Sequence, residues 1–307
     1  MAGVVLTILT LILSAEFIIG NAGNGLIVFV NCVDWVKRRK ISLIDRITTA
    51  LAISRIGLVW YMFLTELGSL LLQDLMFDAK MSKLTYIIGI LVNHLSMWIA
   101  TSLSVFYFLK IANFSHSTFL FLKWRVEKVI SVLLFVSLVL LILHIAASNI
   151  YIGVWMGVYK GNVSYMLSPS THAFKNFLCI ETLFTFIPFS LSLITFLLLI
   201  FSLWRHLRNV QLSALGCRDA RTKAHLQGLQ TVVMFLILYT IFFLMLLLQM
   251  WNTYFGKSQL SVILCHVFGM IYPSGHSCVM ILGNNKLRQA SLAVLCWLRC
   301  KAKETEP

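Results

Sequence analysis

The stretch FLCIETLFTFIPFSLSLITFLLLIFSL, Phe177 to Leu203, carries a single charged residue, Glu181. A helix rises about 1.5 Å per residue, so about 20 apolar residues cross the roughly 30 Å hydrocarbon core of a bilayer. This run is long enough. Six more pass the same test: Val4 to Asn31, Ile47 to Leu72, Leu84 to Leu109, Val129 to Ile152, Leu229 to Trp251 and Leu260 to Leu282. The connectors between them are short and polar or basic, too small for an extramembrane domain. A spanning segment of this length must pair its own backbone polar groups, which a helix does. The expected fold is therefore an all-α membrane protein. A seven-transmembrane helix bundle occupies residues 1–283, and a short amphipathic cytoplasmic helix and tail occupy 284–307. Glu16 interrupts the first run and no basic segment precedes it, so it reads as a retained first span rather than a cleaved leader.

Composition agrees with the spans. Hydrophobic residues make up 59% of the 307 and charged residues 12%, about half the charge of an ordinary soluble domain. Seven cysteines are scattered, mostly inside apolar runs, which does not fit a disulfide framework. The net charge of +14 would suit nucleic acid if it were spread over a soluble surface, but its location points elsewhere. Nineteen of the 25 lysines and arginines fall after the first, third, fifth and seventh spans. By the positive-inside rule the carboxyl terminus is cytoplasmic and the amino terminus extracellular, so no nucleic-acid partner is expected. Two glycosylation sequons, Asn113-Phe114-Ser115 and Asn162-Val163-Ser164, lie on either side of the fourth span. Only one can face the lumen, and the charge census selects Asn162.

Several polar residues stand where apolar ones are cheaper. Arg55 lies about two turns inside the second span, where a charge costs about 2.5–3.5 kcal/mol on insertion scales. Asn24 of the first span sits at a comparable depth, and an interhelical hydrogen bond between the two would return about 0.6–2 kcal/mol. The alternative is that Arg55 snorkels to the cytoplasmic surface. In the outer halves, Glu66, Asn93, His94, Glu181 and His266 accompany aromatics including Trp60, Phe242 and Tyr272. That mixture suits a small-molecule pocket between helices, and equally suits polar bridges with no ligand. Catalytic motifs are missing, the eight histidines are dispersed, and no metal or cofactor is expected. Downstream of Gly283, Leu287, Ser291, Val294 and Leu298 share a face, with Lys286, Arg288 and Arg299 available for lipid headgroups. Cys296 and Cys300 are placed for palmitoylation.

Certain motifs in this sequence resemble those of the bitter taste receptor (type 2 taste receptor) family of G-protein-coupled receptors. They are Leu51-Ala52-Ile53-Ser54-Arg55 in the second span, Phe106-Tyr107-Phe108-Leu109-Lys110-Ile111-Ala112-Asn113-Phe114-Ser115 ending the third, and Ile187-Pro188-Phe189-Ser190-Leu191-Ser192-Leu193 in the fifth. Tyr272-Pro273-Ser274-Gly275-His276-Ser277 and Ile281-Leu282-Gly283-Asn284-Asn285-Lys286 follow in the seventh. The resemblance covers essentially the whole chain. It implies bitter small-molecule agonists, a heterotrimeric G protein of the gustducin or inhibitory class, and a plasma-membrane location. It assigns Asn24 and Arg55 to the activation switch, and Lys110, Lys223, His225, His276 and Ser277 to G-protein coupling. It puts Asn93, Phe242 and His266 at pocket positions of the family, and with Glu66, His94 and Glu181 from the polar set above these are the candidate ligand-binding residues. Glu66 stands where the family often has Trp, and Gly89 where many members place a third-helix Trp, so a stacking wall is expected to be lost. A transporter would need an internal repeat or a ring of like charges, and neither is visible. A seven-helix chemoreceptor of another family lacks these motifs.

Overall fold

The computed structural model describes residues 2–37, 42–71, 79–159, 171–213, 220–255 and 259–304. Nine helices run through them: α1 (Ala2–Val36), α2 (Leu43–Leu71), α3 (Ala79–Ile111), α4 (Ser117–Trp124), α5 (Val126–Tyr159), α6 (Thr171–Ser213), α7 (Ala220–Phe255), α8 (Gln259–Gly283) and α9 (Asn285–Glu304). Seven of them, all except α4 and α9, are long and apolar enough to cross a membrane. The chain is a multi-pass membrane protein. Six of them outrun their apolar segments by about a turn or more at one end or both, because intrahelical hydrogen bonding does not stop where the hydrocarbon does, while α8 exceeds its segment by one residue at each end.

Neighbouring helices close a ring. α1 packs on α2 and α8, α2 on α3, α3 on α5 and α6, α6 on α7, and α7 on α8, while α2 also meets α8 across the bundle. α3 is the central helix, with every residue from Thr101 to Phe106 buried. The two most deeply packed spans, α3 and α8, are the least apolar, and the largely outward-facing α5 is the most apolar. In a bilayer the apolar solvent is outside, so polar side chains face inward.

The end of the bundle that carries the basic connectors, termed here the basic end, is finished by local caps and clamps. Ser42 and Asp45 form a reciprocal box at the start of α2, Ser42 Oγ meeting Asp45 Oδ2 at 2.6 Å and accepting from the Asp45 amide at 3.2 Å. Asn284 caps α9 by accepting from the Lys286 amide at 3.0 Å. Leu287 is buried in the core, and Lys286 Nζ lies 2.6 Å from Asp34 Oδ2 and 3.0 Å from Asn31 Oδ1. Both therefore belong to the bundle rather than to the lipid-facing surface expected of them. The short helix α4 is an element the sequence did not announce. Phe119 holds it, packing edge-on against Phe108 and Phe114 at 5.3 Å each, while Lys123 Nζ donates to the Ala112 carbonyl at 2.9 Å.

Close approach of α1 to α8 requires Gly23. A Cβ there would fall 2.5 Å from Ser277 Oγ. Gly25, two residues on and about 200° round the helix, would meet nothing within 4 Å. Gly23→Ala is expected to cost about 1–3 kcal/mol through overpacking, whereas Gly25→Ala should be neutral or gain up to about 1 kcal/mol from helix propensity. Thermal unfolding of the purified variants separates the two; equal behaviour would remove the close-packing argument.

Candidate functional site

Polar side chains inside the bundle gather in three groups. In the first, α3 and α6 are joined by hydroxyls. Ser192 Oγ donates to Thr101 Oγ1 at 2.8 Å, Thr101 Oγ1 donates to the Pro188 carbonyl at 3.0 Å, and Ser104 Oγ lies 2.9 Å from Thr195 Oγ1. Individual serines and threonines give no such signal in a sequence, since most return their hydroxyl to their own helix.

At mid-depth stand Asn24 and Arg55. Asn24 Nδ2 donates to the Gly20 carbonyl at 2.8 Å and to the Pro273 carbonyl at 3.1 Å, so its long-range partner is α8 and not Arg55. The expected Asn24–Arg55 hydrogen bond is not made. Arg55 does not snorkel either, being 0% exposed. Its guanidinium carbon lies 4.5 Å from the centre of the Tyr272 ring, a cation–π contact worth about 0.5–2 kcal/mol. Asn24 and Arg55 thus converge on adjacent residues of α8, Pro273 and Tyr272. Around them an aromatic column runs along α7 and α8. Phe235 stacks on His276 at 3.9 Å, Tyr239 lies 5.4 Å from Tyr272, and Phe242 stacks on Tyr272 at 4.9 Å.

Towards the far end, the acidic residues pair with histidines. Glu66 Oε2 is 2.6 Å from His266 Nδ1, and His266 Nε2 is 3.1 Å from Gln249 Nε2, so α2, α8 and α7 meet at one imidazole. With Glu66 ionised, Nδ1 carries the proton and Nε2 accepts from the Gln249 amide. Glu181 of α6 accepts from Ser148 Oγ at 2.8 Å and lies 3.0 Å from His144 Nε2 of α5. The second contact is within ion-pair range but out of line for a straight hydrogen bond. His144 escaped the sequence reading because its partner is 37 positions away on another helix. It also stacks on Phe184 at 4.4 Å. His94 turns towards α5, its Nε2 lying 2.9 Å from the Ser137 carbonyl. Phe242 is 0% exposed, and the Asn93 Oδ1 is buried without a hydrogen bond.

The remaining assigned residues divide by depth. Lys110 is exposed at the end of α3, whereas His276 and Ser277 are buried at 3% and 0% and can reach a docked protein only through other residues. The side chains of Lys223 and His225, and the whole of Asn162, lie outside the described residues. A cavity of about 420 Å³ opens at the basic end among α1, α2, α3, α7, α8 and α9, with Asn31, Asp45, Tyr107 and Thr231 on its walls.

This arrangement can be set beside known proteins. A family model described as Taste receptor protein (TAS2R) matches residues 1–299. The chain belongs to the type 2 taste receptor family. Taste receptor type 2 member 14 of Macaca mulatta is 51% identical over all of this chain and 97% of its own length. The human member 14 is 50% identical with the same coverage, and member 125 of Rattus norvegicus is 50% identical over 99% of this chain and 98% of its own. The protein is thus a bitter-taste receptor of the G-protein-coupled type, and the family consists of receptors rather than enzymes.

Within the receptor, the space over Gly89 is not open. A Cβ on Gly89 would fall 2.6 Å from Cζ of Tyr61 and closer still to its hydroxyl. The aromatic surface expected to be missing from α3 is supplied by α2. Gly89→Trp should therefore lower thermal stability and surface yield severalfold, since indole and phenol cannot share the site. Combining it with Tyr61→Ala should restore both. A tolerated single Gly89→Trp would show that Tyr61 moves aside freely.

Proposed function

We propose that this receptor binds bitter small molecules among Asn93, His94, Glu66, Glu181, Phe242 and His266 and answers by activating a heterotrimeric G protein of the gustducin or inhibitory class. The observation that carries the reading is the Glu66–His266–Gln249 chain. Ionisable groups buried in a membrane span are kept where they serve function, and this one ties three helices together. An agonist that takes over one of its hydrogen bonds changes how α7 sits against α2 and α8. It stabilises the signalling conformation only by binding it more tightly than the resting one. In this reading the amino terminus is extracellular and Asn162 is glycosylated. The basic end faces the cytoplasm, where exposed Lys110, with Lys223 and His225, meets the G protein.

The buried acids Glu66 and Glu181 favour agonists bearing a protonated amine. In cells expressing a promiscuous G protein, calcium mobilisation by cationic agonists should lose at least tenfold in potency in the Glu66→Gln, Glu181→Gln double variant, about 1.4 kcal/mol. Neutral agonists should be spared. Unchanged potency at verified surface expression would overturn the assignment.

Arg55 and Asn24 are proposed as the switch, because both grip α8 at its proline. Arg55→Ala should reach the surface and signal with an altered basal level or maximum. A normal dose response would reduce Arg55 to an anchor.

A further inference from the structure

The short helix α4 is fastened to the bundle on one side only. Phe119 packs on Phe108 and Phe114, and Lys123 turns back to the Ala112 carbonyl. Leu120, Phe121 and Trp124 lie on the side away from Phe119. They are 41%, 57% and 86% exposed, so this side of α4 offers large apolar side chains to whatever lies beyond the bundle.

The depth of α4 points to lipid. Phe108, against which Phe119 packs, stands next to Leu109, the last residue of the third apolar run, and α5 begins at Val126, two residues after Trp124. A helix is about 10 Å across, and the headgroup layer adds about 5–8 Å to each side of the hydrocarbon. α4 therefore meets the membrane boundary, where an amphipathic helix sinks its apolar face among headgroups.

Cations accompany that face. The Arg125 guanidinium carbon lies 4.7 Å from the centre of the Phe121 ring, four residues back. The same four-residue step recurs at the basic end, with Arg208 over Trp204 at 5.9 Å in α6 and Lys301 over Trp297 at 5.1 Å in α9. Trp204 is the first residue beyond the fifth apolar run. An aromatic ring at the boundary with a basic side chain one turn on is an interfacial anchor, and α4 continues a girdle that two other helices carry. Residues 110 to 128 hold four lysines and arginines against one acid, Glu127, which favours anionic headgroups over neutral ones.

We propose that α4 is a membrane anchor. Its Leu120, Phe121 and Trp124 enter the headgroup layer of the adjoining leaflet, and Arg125 binds anionic phospholipid there. The connector between the third and fourth spans is thereby held in the plane of the membrane instead of standing free in water.

The test needs neither agonist nor G protein and is independent of the pocket and the orientation assigned above. Tryptophan emission of the purified full-length receptor in nanodiscs is quenched from the bilayer by phosphatidylcholine brominated high on its acyl chains, and from water by acrylamide. The component lost in Trp124→Phe isolates Trp124. It should be quenched several times more strongly by the brominated lipid than by acrylamide. Adding phosphatidylserine should deepen the lipid quenching. Arg125→Gln should keep the level seen in phosphatidylcholine and lose that increment, as should high salt, which screens exposed charges. Both substitutions are at exposed positions, where folding is not at stake. Quenching of the Trp124 component by acrylamide and not by lipid would mean that the face is turned to water and left to a cytoplasmic protein. An unchanged increment in Arg125→Gln, or none in the parent, would remove the anionic lipid. Each of these outcomes overturns the proposal.

Discussion

Hydrocarbon offers no hydrogen bonds, so every polar atom inside the bundle must find its partner in the protein. Two prolines sharpen that constraint. Pro188 in α6 and Pro273 in α8 each lack an N–H and each loosen one turn of their helix. At both positions a side chain from a neighbouring helix reaches the proline carbonyl, Thr101 from α3 and Asn24 from α1. Both weak turns are thereby cross-braced. The α3–α6 hydroxyl ladder continues from the first, and the Arg55–Tyr272 contact and the aromatic column continue from the second.

The seven spans were legible because bilayer thickness and hydropathy act on long segments, and helix ends differ from the apolar limits only where the helices continue past the hydrocarbon. α4 was not legible: eight residues held by Phe119 and one lysine carry no periodic signal. The polar residues inside the spans were visible as types, since Arg55, Glu66 and His266 stand out against apolar neighbours. Their partners were not. Asn24 was matched to Arg55 by depth, but rotation about a helix axis decides contacts, and it turns Asn24 towards Pro273. His144 and Tyr61 were missed for a related reason. One is a histidine among dispersed histidines and the other an aromatic among many, and only packing shows that the first meets Glu181 and the second covers Gly89.

The same geometry separates contact from relay. The acid–histidine pairs lie towards one end and the exposed Lys110 at the other, while His276 and Ser277 are enclosed between them. Between the two ends stands the column of Tyr239, Tyr272 and Phe242, in which the Tyr272 ring meets the other two and the charge of Arg55. These contacts hold α7 against α8.

The length of α6 adds a mechanical aspect. From Pro188 the helix runs unbroken to Ser213, about 38 Å at about 1.5 Å per residue. It is a lever whose fulcrum is the turn braced by Thr101. Bending that turn by about 5° carries the tip sideways by about 3 Å over an arm of this length. Small motions beside Pro188 are thus amplified without distorting the packed core around it.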